Sequence, residues 1–158
     1  MIFAPPTCLA GLLMLVWAGA SPPAATTPKP ETVLLRGKVM MLSAALKSSG
    51  VPVTPDLEPI AKQVVLLGAD GTITPLLSDE ASRALFLDER LRNCPAEVRG
   101  RRYAGVPYLQ VIHFRIEREG RLETPEYFCN VCAISLRYPQ ECPCCQGPME
   151  LRMKPDRR

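Results

Sequence analysis

Gln63-Val-Val-Leu-Leu-Gly-Ala-Asp-Gly-Thr-Ile-Thr-Pro-Leu-Leu77 decides the fold. Two apolar runs rich in β-branched residues flank Gly68-Ala69-Asp70-Gly71. An Asp-Gly pair between such runs marks a β-hairpin, because glycine accepts the positive φ that a tight turn needs. The hairpin supplies a second and a third strand. Upstream, Val33 to Leu42 (VLLRGKVMML) is apolar with a central Gly37 and reads as the first strand. Between them, Ser43 to Lys62 carries Gly50, Pro52, Pro55 and Pro59 and reads as a long connection, with one helical turn at Ala44 to Lys47.

Downstream, Ser78 offers a helix N-cap, and Asp79 and Glu80 place negative charge in the first turn. Ala81, Ala84, Leu85 and Leu91 form the inward stripe, and Arg90 and Arg92 complement the far end of the dipole. Ala96 to Tyr103 is a fourth strand. Tyr108 to Glu117 is a fifth, with Ile112, Phe114 and Ile116 alternating onto one face. The only histidine, His113, falls in phase with Leu109 and Val111, which predicts a partly buried structural residue.

Strand, strand, strand, helix, strand, strand is an order that resembles the OB-fold over 33–120: a mainly β protein, a small five-stranded antiparallel barrel with one helix. Gly37 within the first strand and Gly100 within the fourth add to the resemblance, since glycine lets a strand bend enough to serve a small barrel. OB-folds often bind single strands by stacking bases on aromatic side chains of the second and third strands. Those strands hold no aromatic residue here. The charge balance, 19 Lys and Arg against 16 Asp and Glu, supplies no strong field for a polyanion. Both points argue against nucleic acid and leave an unidentified protein or small ligand as the partner. Tyr103, Tyr108, Tyr127 and Phe128 are candidate core or interface aromatics.

The tail, 121–158, carries the chemistry. Cys129-x2-Cys132, nine intervening residues and Cys142-x2-Cys145 set two close pairs against each other, the spacing of a zinc ribbon or knuckle. A two-residue gap lets both sulfurs of a pair face one ion. Two pairs complete a tetrahedral shell for a structural zinc, with Cys129, Cys132, Cys142 and Cys145 as the ligands. Such a shell has no open position for a water to activate. Cys144 is then spare, free to pair with Cys94 if the fold brings them together.

Three readings compete. The pattern Tyr127-Phe-Cys129, Cys142-Pro-Cys-Cys145 and Met149-Glu-Leu151 loosely resembles bacterial heavy-metal-binding modules, which implies Cu(I) handling through these cysteines and Met149. The modules commonly carry Met and His after the first cysteine, where this chain has Asn130 and Val131. Thiol redox chemistry at Cys142-Pro143-Cys144-Cys145 lacks the surrounding strand-helix-strand unit. Six cysteines could also form three disulfides. No haem-attachment motif, serine elbow, zinc-protease helix or phosphate loop occurs, so an enzyme is the weaker hypothesis beside a binding or structural module.

The first residues set the compartment. An apolar run from about Cys8 to Ala18 ends in Ala18-Gly19-Ala20, a secretory signal over 1–20 with an A-x-A cleavage site. At roughly ten residues it falls short of the ~20 that cross a bilayer, so export to a periplasm or the outside is the expectation, with an uncleaved anchor the alternative. Cys8 leaves with the signal. Ser21 to Thr32, rich in Pro, Ala and Thr, reads as a flexible linker.

Overall fold

The computed structural model describes residues 29–54 and 58–155. The signal expected over 1–20 and most of the linker expected over 21–32 lie outside the described residues. The protein is mainly β, a curled antiparallel sheet forming a half-barrel, with a cysteine cluster near the C-terminal end. Among the described residues no helix is long and apolar enough to cross a membrane.

The hairpin forms as β2 (Val64–Leu67) and β3 (Ile73–Pro75). Its turn is held by Asp70, whose carboxylate accepts from the Thr72 amide at 3.0 Å and the Thr72 hydroxyl at 2.7 Å, while Gly71 takes φ 82°. β1 (Glu31–Met41) begins two residues before the expected Val33 and pairs with β2 on one side and β4 (Cys94–Arg102) on the other. β5 (Leu109–Arg118) follows β4 antiparallel, giving the order β3-β2-β1-β4-β5. A parallel bridge between Leu76 and Leu109 then ties the far edge of the hairpin to the start of β5 and draws the sheet into a curl. The curl brings strands close. A Cβ on Gly37 would lie 2.3 Å from the Leu67 carbonyl oxygen, and one on Gly100 2.7 Å from that of Gln110, so neither position admits a side chain without moving backbone.

Two helices stand where the sequence reading expected one. α1 (Leu42–Ser48) extends the turn expected at Ala44 to Lys47; it buries Ala45 and ends where Ser48 and Ser49 donate their hydroxyls back to the Ala45 carbonyl. α2 (Arg83–Leu87) is far shorter than the helix expected from Ser78. The physical reason lies at both ends. Ser82 is buried and its hydroxyl donates to the Leu77 carbonyl at 2.5 Å, which holds 78–82 in a turn. At the other end Asp88 takes an extended backbone conformation that stops the helix, and a 3₁₀ turn over Glu89–Leu91 follows. Arg92 does serve the end of the helix, donating to the carbonyls of Leu85 and Phe86 at 3.4 and 3.1 Å.

Strand β5 corrects the histidine. The β4–β5 register shifts between Arg99 and Gly100, leaving Ile112 as an extra residue opposite that step. A bulge reverses the facing of everything beyond it. Leu109 and Val111 therefore share the inner face with Phe114 and Ile116, and His113 points outward and is exposed.

The tail adds three strands to the same sheet: β6 (Arg121–Phe128), β7 (Ser135–Leu136) and β8 (Glu150–Pro155). β6 pairs with β5, β7 and β8. Its Tyr127 is 1% exposed within the core of Val39, Val98, Leu85 and Ile116, against which Leu136, Met149, Leu151 and Met153 also pack. Burying each such aliphatic or aromatic side chain contributes about 1.5–3 kcal/mol. The Tyr127 hydroxyl donates to Asp88 Oδ2 at 2.6 Å, and Arg90 closes on the same carboxylate at 2.7 Å. Asp88 thus turns inward, because a buried phenol needs an acceptor.

Burial alone would raise the Asp88 pKa; the hydrogen bonds from Arg90 and Tyr127 outweigh it and hold the group at about 2, below the ordinary 3.8. A depressed carboxylate pKa stabilises the fold above the unfolded value, and that contribution is lost as pH falls toward the folded value. Urea denaturation of the wild-type chain is expected to show stability declining between pH about 4 and about 2, with Asp88→Asn lower at neutral pH and flatter across that window. Tyr127→Phe should cost about 2 kcal/mol at neutral pH. Equal pH slopes for the wild-type chain and Asp88→Asn would contradict this assignment.

Candidate metal centre

The strand carrying Tyr127 leads, two residues later, into Cys129. The turn after it is a knuckle closed by two backbone bonds: the Cys129 amide donates to the Ile134 carbonyl and the Ala133 amide to the Cys129 carbonyl, both at 2.9 Å. Cys142 repeats the construction. Its amide donates to the Gly147 carbonyl at 2.9 Å and accepts, at its carbonyl, the Gln146 amide at 2.8 Å. Ala133 and Gln146, each four residues after the first cysteine of its pair, take φ 54° and 57°. The two knuckles are therefore one local structure used twice. β7 returns from the first to pair with Tyr127 and Phe128, and β8 leaves the second to pair with Phe128 at Glu150.

The sheet thereby brings the two turns face to face. The sulfurs of Cys129, Cys132, Cys142 and Cys145 all lie within 4.8 Å of one another, and those of Cys129 and Cys145 are 3.6 Å apart. A disulfide needs about 2.05 Å. A tetrahedron of sulfurs about 2.3 Å from a central ion has edges of about 3.8 Å. The cluster fits the tetrahedron. All six cysteines among the described residues are free, and Cys144 stands outside the four-sulfur set.

Within each pair the first cysteine is buried at 1%, and the second lies toward solvent, with Cys132 half-buried and Cys145 exposed. Backbone amides face the buried sulfurs. The Cys132 amide donates to Cys129 Sγ at 3.4 Å, and the amides of Cys145 and Cys144 bring the Cys142 thiol down to about 7. The neighbouring thiols, Cys144 foremost, push Cys132 well above its ordinary range. Four sulfurs in this space cannot all ionise unaided, whereas a dication among them satisfies every thiolate. The donor set is all sulfur, which suits zinc or iron and excludes the hard cations that need oxygen ligands.

Around the first knuckle, Arg152 of β8 lies 3.7 Å over the Phe128 ring and donates to Asn130 Oδ1. These contacts hold the knuckle against the sheet. His113 lies on β5, outside the four-sulfur set, and Cys94, half-buried on β4, hydrogen-bonds locally to the Arg92 carbonyl. The cysteine spacing pointed to the four sulfurs. The repeated left-handed residue was not foreseen, because glycine, the usual signal of positive φ, is absent from positions 133 and 146. No family model, curated protein or solved structure matches the chain.

A non-glycine residue in the left-handed region costs about 1–2 kcal/mol, against about 0.5–1 kcal/mol for the added chain entropy of glycine. Ala133→Gly and Gln146→Gly are each expected to raise the urea midpoint, by about 0.5–1 kcal/mol of stability. An unchanged or lowered midpoint in both would contradict the knuckle geometry.

Proposed function

We propose that the chain is an exported, OB-like β module whose tail holds a structural zinc ion in a Cys₄ shell, and that it acts by binding or by scaffolding and not by catalysis. The single observation that carries the reading is the convergence of four thiols, from two copies of one knuckle, within 4.8 Å. Zinc fits an all-sulfur tetrahedron, and when bound it supplies folding energy and no activated water, since four protein ligands fill its shell. Met149 packs against the core, so its thioether is committed to packing, which favours zinc over Cu(I).

The barrel reading rests on the strand order, on the short helix between β3 and β4, and on the bridge from the end of the hairpin to β5. The barrel spans 33–120 and the zinc-ribbon-like tail 121–158, joined through Tyr127. Export rests on the apolar run and the Ala18-Gly19-Ala20 site. In an oxidising compartment a bound metal protects the four thiolates from disulfide formation. The partner is a protein or a small ligand, because β2 and β3 offer no aromatic platform for bases.

Protein purified without chelator should carry one zinc per chain by elemental analysis. Chelation, or Cys142→Ser, should lower the thermal midpoint by more than about 10 °C, while Cys94→Ser leaves both the zinc content and the midpoint unchanged. A metal-free chain with disulfides among these cysteines would contradict the reading.

A further inference from the structure

The outer face of the sheet carries a groove that the cysteines do not touch. β1, β4 and β5 lie side by side there, and their register sets two rows across them: Leu34, Arg99 and His113 in one, Arg36, Glu97 and Arg115 in the next. Side chains two apart on a strand share a face, so both rows point the same way. A groove of about 460 Å³ lies over the first row and over Glu97 and Arg115 of the second. That volume falls in the range of small-molecule sites, about 300–1,000 Å³. Three guanidiniums stand in the two rows against one carboxylate. Glu97, 4% exposed, has both oxygens engaged: Oε2 accepts from Arg36 Nε at 2.9 Å and Oε1 from Arg115. Arg99 is left over, exposed and in no ion pair with any carboxylate among the described residues. Its neighbour across β1 is Leu34, an aliphatic side chain 57% exposed, and on the β5 side stands His113, whose ring nitrogen lies 3.4 Å from the Thr124 hydroxyl.

We infer that this groove binds a small organic carboxylate, with the acid group on Arg99 and an apolar body against Leu34. The inference rests on the reading of the chain as a binding module, for which it names a ligand class, and it uses no metal. A carboxylate matches the guanidinium fork with two parallel hydrogen bonds, which a neutral head group cannot form. Arg115 adds a second positive charge within the groove. Glu97 opposes the anion little, because each of its oxygens already faces an arginine. One unpaired guanidinium suits one acid group and not a polyanion, which needs many such contacts. The exposed leucine beside it then gains a partner for its apolar surface.

Amide proton–nitrogen spectra of the full chain, titrated with hexanoate, test the site. Hexanoate should shift the amides of Leu34, Arg99 and His113 saturably, with a Kd on the order of 1 mM. Acetate keeps the charge without the body and hexanol the body without the charge, so each should bind at least about tenfold more weakly. Arg99→Gln should weaken hexanoate by about tenfold or more, and Leu34→Thr by about fivefold while leaving acetate unchanged. Both positions are exposed on a strand, and unchanged amide positions away from the groove would verify that each variant is folded. Equal Kd values for the wild-type chain and Arg99→Gln, inorganic phosphate binding as tightly as hexanoate, or no saturable shift at these three amides would overturn the site. Saturable shifts centred on another groove would overturn it and leave the binding-module reading standing, while the zinc content of the same sample reads the metal separately.

Discussion

Four sulfurs within 4.8 Å of one another set the terms for the C-terminal third of this protein. Thiolates at that separation repel, so the four can ionise together only when something positive stands among them. The backbone supplies part of that charge. Amides at 132, 144 and 145 face the two buried sulfurs, and their partial charges favour the ionised form at Cys142. A dication bound among the four sulfurs would supply the rest. The knuckles, the strained residues at 133 and 146 and the return of β7 and β8 to β6 are the scaffold that this constraint requires.

The scaffold is anchored from below by the hydrogen bond between Tyr127 and Asp88. It lies beneath the strand that feeds the first knuckle, and it joins the helical segment of the barrel to the tail strands. A rigid sheet places sulfurs more accurately than a loop does, which is the usual requirement for a metal shell. The price is a carboxylate buried at 6% exposure, held ionised by Arg90 and the phenol. The same logic appears on the outer face. Glu97, 4% exposed, sits between Arg36 and Arg115 from the two flanking strands, so the sheet carries its buried charge as a satisfied cross-strand row.

The strands of the barrel were legible because their residues are. Val64 to Leu67 is a continuous apolar run, Val98 and Ile116 are β-branched residues within strands whose inner faces alternate with polar ones, and Asp70-Gly71 closes the hairpin turn. The four cysteines that converge were legible from spacing alone. What escaped was set by contacts distant in sequence. The inward role of Asp88 depends on Tyr127, 39 residues later, which needs an acceptor. His113 changes faces because of one inserted residue at Ile112, which an alternating pattern cannot show. Among the tail strands, β7 is only two residues long and carries no periodic signal, and β8 offers only Leu151 and Met153 alternating with charged residues, too short a pattern to mark a strand by itself.

X-ray absorption at the zinc edge of the purified full chain reads the proposed four-sulfur shell around one ion. The structure predicts four sulfur scatterers at about 2.3 Å and no nitrogen or oxygen neighbour in the first shell. A shell of fewer than four sulfurs completed by nitrogen or oxygen, or the absence of bound zinc, would contradict it.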